Sequence, residues 1–148
     1  MRTNIIFLRC KNCRAINRVP ADRLMSRPKC GKCKTFLEIP RIPIEVTVST
    51  FDDEVLMWPG VVLIEFWSPR CSHCLSIAPV TEELALRRAG LLKVVKVNVE
   101  NETSLAMRFN IQATPFLTLY RDGNKLSEVA GALSKEQLEA WIDSSMLG

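Results

Sequence analysis

A chain of 148 residues that is 47% apolar, with 20 Lys and Arg against 16 Asp and Glu, has material for one ordinary domain, or for one domain with a small appendage. No stretch approaches the ~18 consecutive apolar residues of a membrane span, so no membrane partner is expected. The formal charge of +4 conceals a split: residues 1–43 hold 11 basic and 2 acidic side chains, and residues 44–148 hold 9 and 14, which marks a domain boundary near residue 43.

The first apolar run, Ile5–Leu8, is only four residues long before Arg9 and Cys10. A secretory leader needs roughly 7–15 such residues and a small-residue cleavage site. None is predicted, and the default compartment is a reducing cytoplasm, where cysteines serve metals or catalysis rather than structural disulfides. The six cysteines fall into three C-x-x-C pairs: Cys10/Cys13, Cys30/Cys33 and Cys71/Cys74. The first two pairs are separated by 16 residues, within the spacing of a four-thiolate zinc site.

Residues 1–40 therefore read as a zinc ribbon, with β-prone runs at Ile5–Leu8, Ala15–Val19 and Phe36–Ile39 flanking the two cysteine knuckles. About 40 residues cannot bury enough surface to fold alone. Zinc would add roughly 10–16 kcal/mol of apparent binding energy. Four thiolates leave no open position, so one such ion is structural. An iron centre on the same ligands, or a second redox dithiol, stays open at this point. The basic surface invites a nucleic-acid hypothesis. Phe7 and Phe36 are its only aromatics, however, both read as core residues, and no recognition-helix pattern is visible. The favoured reading is a basic surface that is solvated or docked on the acidic second half.

Pro40-Arg41-Ile42-Pro43 is a stiff connector, because each proline fixes its own φ and biases the residue before it to extended structure. The linker is set at 41–44 and the second domain at 45–148. Glu45–Val48 reads as a strand, and Ser49 or Thr50 as the cap of a short helix with Asp52, Asp53 and Glu54 in its first turn, where acids suit the dipole. That helix stops before Pro59-Gly60. Val61–Trp67 is a buried strand carrying Glu65 in an apolar setting.

Cys71 and Cys74 follow at a strand-to-helix junction and can close a small disulfide across one turn. The first sits at the helix N-terminus, where unpaired N–H groups and the dipole favour a thiolate. The helix runs from about Ser72 to Arg88 on Leu75, Ile77, Ala78, Val80 and Leu84, with a kink expected at Pro79. Leu91–Val99 is another buried strand with Lys96 in its middle, and Glu102–Phe109 a short helix. Phe116–Tyr120 and Lys125–Ala130 form a hairpin around Arg121-Asp122-Gly123-Asn124. Ser134–Met146 closes the chain as an amphipathic helix with Leu138, Trp141 and Ile142 inward and a capping box from Ser134 to Gln137. The order of elements implies an α/β fold, a mixed central sheet flanked by helices on both faces.

Residues 44–148 resemble the thioredoxin family almost end to end. The matching stretches are Phe66-Trp67 before the cysteine pair, Ile77-Ala78-Pro79 in the next helix, Val95-Lys96-Val97-Asn98-Val99, Ala113-Thr114-Pro115 and Gly131-Ala132-Leu133-Ser134. With the four-cysteine leader, the whole chain resembles the zinc-containing thioredoxins of bacteria. The resemblance implies a thioredoxin fold preceded by a zinc ribbon, with zinc held by Cys10, Cys13, Cys30 and Cys33. It implies that Cys71 is the nucleophile and Cys74 the resolving thiol. Pro115 is expected to be cis, setting the Thr114 backbone beside the dithiol to hold substrate as a short strand, and Trp67 and Gly131 border that surface. Glu65 stands where the family has a buried aspartate, and with Lys96 it either relays the proton leaving Cys74 or forms a buried ion pair.

The active site departs from the family pattern at Arg70, in place of tryptophan, and at Ser72-His73, in place of Gly-Pro. His73, the only histidine, is expected to stabilise the Cys71 thiolate, and Arg70 to add fixed positive charge. A stabilised thiolate makes the couple more oxidising, by ~30 mV per unit of pKa, placing it ~30–60 mV above the thioredoxin value of about −270 mV. The function implied is reduction of protein disulfides with no organic cofactor, fed by a thioredoxin reductase or a glutathione system. Disulfide isomerase or oxidant activity, and a redox-responsive zinc-ribbon binding module, are the alternatives.

Overall fold

In the computed structural model, which describes residues 4–147, the first cysteine-rich stretch and the rest of the chain build separate cores that meet along one seam. Met1–Thr3, which belong to the stretch read for a leader, lie outside the described residues.

Strand β1 (Ile5–Arg9) pairs antiparallel with β2 (Ile16–Pro20). Alternation turns Ile6, Leu8 and Cys10 to one side, where Val19, Cys30 and Leu37 complete a small core. The third β-prone run does not become a strand; it contributes a single Lys29–Phe36 bridge. Leu37 takes the inward position, so its neighbour Phe36 faces out and is 48% exposed. This corrects the placing of Phe36 in the core: its ring lies instead under Arg27 at 4.4 Å and Lys29 at 5.0 Å.

Five strands make the second sheet, β3 (Ile44–Glu45), β4 (Val61–Trp67), β5 (Lys93–Asn98), β6 (Phe116–Arg121) and β7 (Asn124–Ala130), in the order β3-β5-β4-β6-β7. The first three run parallel, and β6 and β7 join antiparallel. Even positions of β4 (Val62, Ile64, Phe66) pack with Phe51, Val55, Trp58 and Leu105, the last from helix α2 (Thr103–Arg108). Its Leu63 faces the opposite way, onto Ile77 and Leu84 of α1 (Ser72–Arg87) and Leu138 and Ile142 of α3 (Lys135–Leu147). Helices thus cover both faces, as the order of elements implies.

Local chemistry explains the boundaries. The Arg121–Asn124 turn has φ of 52° at Asp122 and 80° at Gly123, the two left-handed residues of a tight hairpin that Asp-Gly supplies. The Ser134–Gln137 box forms both of its bonds: the Ser134 N–H donates to Gln137 Oε1 at 2.9 Å, and the Gln137 N–H to Ser134 Oγ at 3.2 Å. Two expectations need correcting. Strand β3 is only two residues long and begins at Ile44, inside the connector. Thr50 does not cap the wide helical turn Asp52–Leu56, which has no side-chain cap; its hydroxyl accepts the Thr47 N–H at 2.9 Å instead. Helix α1 continues through Pro79.

The ribbon docks on the second unit through β1 and β2. Phe7 and Ile16 pack against the Phe51–Trp58 core, and Arg9 Nε lies 2.7 Å from Glu54 Oε1. Docking of basic on acidic surface is therefore realised by a buried contact rather than by diffuse charge alone.

Candidate active site and metal centre

Strand β4 delivers Cys71 to the start of α1, where it is the N-cap. Its Sγ accepts the Cys74 N–H at 3.1 Å and, as a thiol, donates to the Thr114 carbonyl at 3.3 Å. Both thiols are free, Cys71 half-buried and Cys74 buried. Burial by itself would raise the Cys71 pKa. The Cys74 thiol, the Thr114 side chain and the backbone N–H groups of Cys74 and His73 outweigh it and hold Cys71 below the ordinary thiol range. Cys74 goes the other way: burial and its bond to Cys71 push it up to about 11. Two thiols one turn apart are thus shifted in opposite directions, Cys71 toward the thiolate and Cys74 toward the protonated thiol.

The Thr114–Pro115 bond is cis, and Pro115 accepts the Gly131 N–H at 2.9 Å. Gly131 has φ of 104°, and a Cβ there would meet nothing within 4 Å. The structure therefore brings Cys71, Cys74, Thr114, Pro115 and Gly131 to one face with open space beside them. Trp67, at the end of β4, is half-buried; its indole N–H points to Glu45 Oε2 at 3.4 Å, and Lys96 Nζ lies 4.5 Å from its ring.

Two of the expected electrostatic contributors are placed differently. Arg70 is 86% exposed and pairs with Glu100, so its charge is spent on a carboxylate rather than on the Cys71 sulfur. The His73 side chain is exposed, and this residue lowers the Cys71 pKa through its backbone N–H. Glu65 and Lys96 are neighbours in register on β4 and β5 but form no ion pair. Both Glu65 oxygens are buried without a hydrogen-bond partner. Burial raises the Glu65 pKa, against the pull of Lys96.

Glu65 carries a testable consequence. Its folded pKa lies above the unfolded value, so the folded state binds the extra proton and stability is lost as pH rises through the folded pKa. Glu65→Leu removes two orphaned oxygens. It should stabilise the fold at pH 8 by about 1–3 kcal/mol, with a smaller gain at pH 4.5, as read by denaturant melts at the two pH values. An equal gain at both would contradict the assignment.

In the ribbon, the Sγ atoms of Cys10, Cys13, Cys30 and Cys33 all lie within 4.8 Å of one another, with Cys10–Cys33 at 3.5 Å and Cys13–Cys30 at 3.6 Å. Four sulfurs on a tetrahedron of 2.3 Å radius would be about 3.8 Å apart, so the set fits a zinc ion. The two knuckles repeat one local design. The N–H groups of Cys10 and Cys30 donate to Ala15 and Thr35, each at 2.8 Å, while the Arg14 and Lys34 N–H groups return to Cys10 and Cys30 at 2.9 Å. Arg14 and Lys34 have φ of 70° and 65°. Asn12 and Asn17 donate to Cys33 and Cys30 at 3.5 Å, the kind of outer support that fixes thiolate ligands. Hydrogen bonds from Asn12 and Thr35 lower Cys33 to about 5, and the Cys33 backbone and Asn17 lower Cys30 to about 7.

Glu100, Glu45, Asn12, Asn17 and Thr35 escaped sequence reasoning. Only Asn12 and Thr35 had a signal available, lying within or two residues beyond a knuckle.

The thioredoxin family description matches residues 42–144. The chain belongs to the thioredoxin family. Residues 9–35 match the separate description of the thioredoxin 2 N-terminal zinc ribbon. Among curated relatives, the chain is 37% identical to a thioredoxin of Pseudomonas aeruginosa over 103 residues, 70% of this chain and 95% of the relative. It is 37% identical to thioredoxin 1 of a Nostoc species over 102 residues, covering 69% and 95%. It is 38% identical to thioredoxin 1 of Synechococcus elongatus over 101 residues, covering 68% and 94%. Thiol–disulfide oxidoreduction is the chemistry of this thioredoxin-family chain, and no helix among its described residues is long and apolar enough to cross a membrane.

Proposed function

We propose that the chain reduces cystines in other proteins, with Cys71 as nucleophile and Cys74 as resolving thiol. The observation that carries this reading is the placement of the two free thiols: Cys71 half-buried at the start of α1 with its Sγ accepting the Cys74 N–H at 3.1 Å, and Cys74 buried one turn further on. The Cys71 thiolate attacks one sulfur of the substrate disulfide. A Cys71–substrate bond forms, the substrate S–S bond breaks, and the departing sulfur takes a proton. Cys74 then loses its proton and attacks Cys71 Sγ, freeing the second substrate thiol. Two electrons pass to the substrate with two protons, one drawn from water and one released by Cys74, and a Cys71–Cys74 disulfide remains. Thr114, Pro115 and Gly131 offer backbone for an extended substrate segment, and Trp67 walls it. Glu65 receives the Cys74 proton, aided by the charge of Lys96.

Zinc, held by Cys10, Cys13, Cys30 and Cys33, has a structural role; with four thiolates it leaves no open position for chemistry. No organic cofactor is called for. Electrons come from a thioredoxin reductase or a glutathione system in the cytoplasm. Because Arg70 is engaged by Glu100 and the His73 imidazole is exposed, the rise in potential falls at the lower end of the ~30–60 mV range, near −240 mV. Equilibration with glutathione buffers tests this, together with insulin reduction. His73→Pro should lower the potential by no more than ~30 mV. A potential near the −180 mV of a disulfide isomerase, with slow insulin reduction, would favour the isomerase or oxidant reading instead.

A further inference from the structure

Between the ribbon and the thioredoxin domain lies a cleft of about 360 Å³, within the roughly 300–1,000 Å³ range of small-molecule sites. It stands apart from the dithiol. Its floor is Trp58, with Phe7, Ile44 and Pro40 as apolar walls.

The charges around it are unbalanced. Glu54 is approached by three cations: Lys93 Nζ at 2.7 Å, Arg9 Nε at 2.7 Å and Arg14 Nη2 at 3.6 Å. Lys93 is 7% and Glu54 8% exposed, so little water screens the surplus. Lys93 Nζ also lies 3.5 Å from the Trp58 ring centroid and Arg9 Cζ 5.6 Å from it. The surplus acts on the cluster itself, since burial and the two guanidiniums bring the Lys93 pKa down to about 8.

The other lining carboxylates do not offset this. Glu38 is matched by Lys11, and Glu45 is drawn to the charge of Lys96, outside the cleft, and to the Trp67 indole N–H. Arg9 is engaged at all three nitrogens: besides Nε beside Glu54, its Nη1 donates to the Arg14 carbonyl at 2.8 Å and its Nη2 to the Asp53 carbonyl at 3.3 Å. Arg14, with a 63% exposed side chain, has donors left to point into the cleft. A buried cation surplus is costly until an anion joins it, and a flat apolar wall asks for a flat apolar body.

We propose that this cleft binds a small organic anion. An aromatic or similarly flat body lies along Trp58 and Phe7, and its carboxylate or phosphate is held by Arg14 over the Lys93–Glu54–Arg9 cluster. Such a site exists only while the ribbon is docked, so its ligand bridges the two units.

The test is a ¹⁵N NMR titration of the full-length, zinc-loaded chain with benzoate and phenyl phosphate, using uncharged benzamide as the control. Both anions should shift the Trp58 indole N–H and the Lys93 and Ile44 amides along one saturable curve, while the signals of Cys71 and Thr114 stay in place. Benzamide should bind at least about tenfold more weakly, since it lacks the charge that strengthens hydrogen bonds to a guanidinium. Arg14→Gln should weaken both anions by about tenfold, with zinc content and insulin reduction unchanged. No saturable shift at Trp58, or equal binding of benzamide, or an Arg14→Gln chain that binds as tightly as the parent, would overturn the proposal.

Discussion

Cys71→Ser should lower the rate of disulfide reduction by at least about three orders of magnitude, because it removes the atom that forms the covalent intermediate. The fold should be unaffected, since the side chain is half-buried at a helix start and serine is a good N-cap. Cys74→Ser should behave differently. Its Cys71 thiolate still attacks but cannot be displaced, so one equivalent of substrate accumulates as a mixed disulfide, visible by mass spectrometry and released by a small thiol. The serine also takes away the Cys74 thiol that helps hold the Cys71 anion, so this first attack should be slower than in the parent at pH 7. Equal loss of trapping in both variants would mean that the two sulfurs are interchangeable, contrary to their opposite placement.

Stripping zinc should unfold the ribbon while leaving the thioredoxin domain folded. The ribbon core rests on Ile6, Leu8, Val19 and Leu37 together with two of the cysteines, far too little apolar area to hold some 40 residues in place. Roughly 10–16 kcal/mol of metal binding disappears on chelation. A strong chelator should release one zinc per chain, erase the β1–β2 amide protection and leave that of β4 and β5 intact. Phe7 and Arg9 then leave Trp58 and Glu54, so Trp58 should gain solvent exposure as the ribbon departs. Cys30→Ser should reproduce these changes without a chelator. If the β1–β2 protection survives quantitative zinc loss, the metal is not what holds the ribbon.

The sheet, the helices and the dithiol could be read from the residues because each is written locally. Apolar runs mark β4 and β5, Asp-Gly sets the hairpin, Ser134 with Gln137 caps α3, and C-x-x-C at a strand end places both thiols. What escaped depends on partners distant in the chain. Arg70 was expected beside the sulfur one residue away; the structure sends it to Glu100, which sits just past the end of β5. Phe36 looked inward by composition, but a one-residue choice of face put Leu37 in the core instead. Glu65 and Lys96 were paired on paper by opposite charge and do share register. The Lys96 amine nevertheless turns to the Trp67 ring, which leaves the carboxylate alone. Glu54 looked like an ordinary first-turn acid, and only the docking of Arg9 and Arg14 from the ribbon reveals it as the centre of the seam.

The most direct measurement is the pH dependence of alkylation of the reduced chain by iodoacetamide, with each cysteine followed by mass spectrometry. Cys71 should react first, with a midpoint below the roughly 8.5 of a free thiol, and Cys74 should stay unmodified until the pH approaches 10. A Cys71 midpoint at or above that of a free thiol, or Cys74 reacting in step with it, would contradict a thiolate held ready by the backbone at the start of α1.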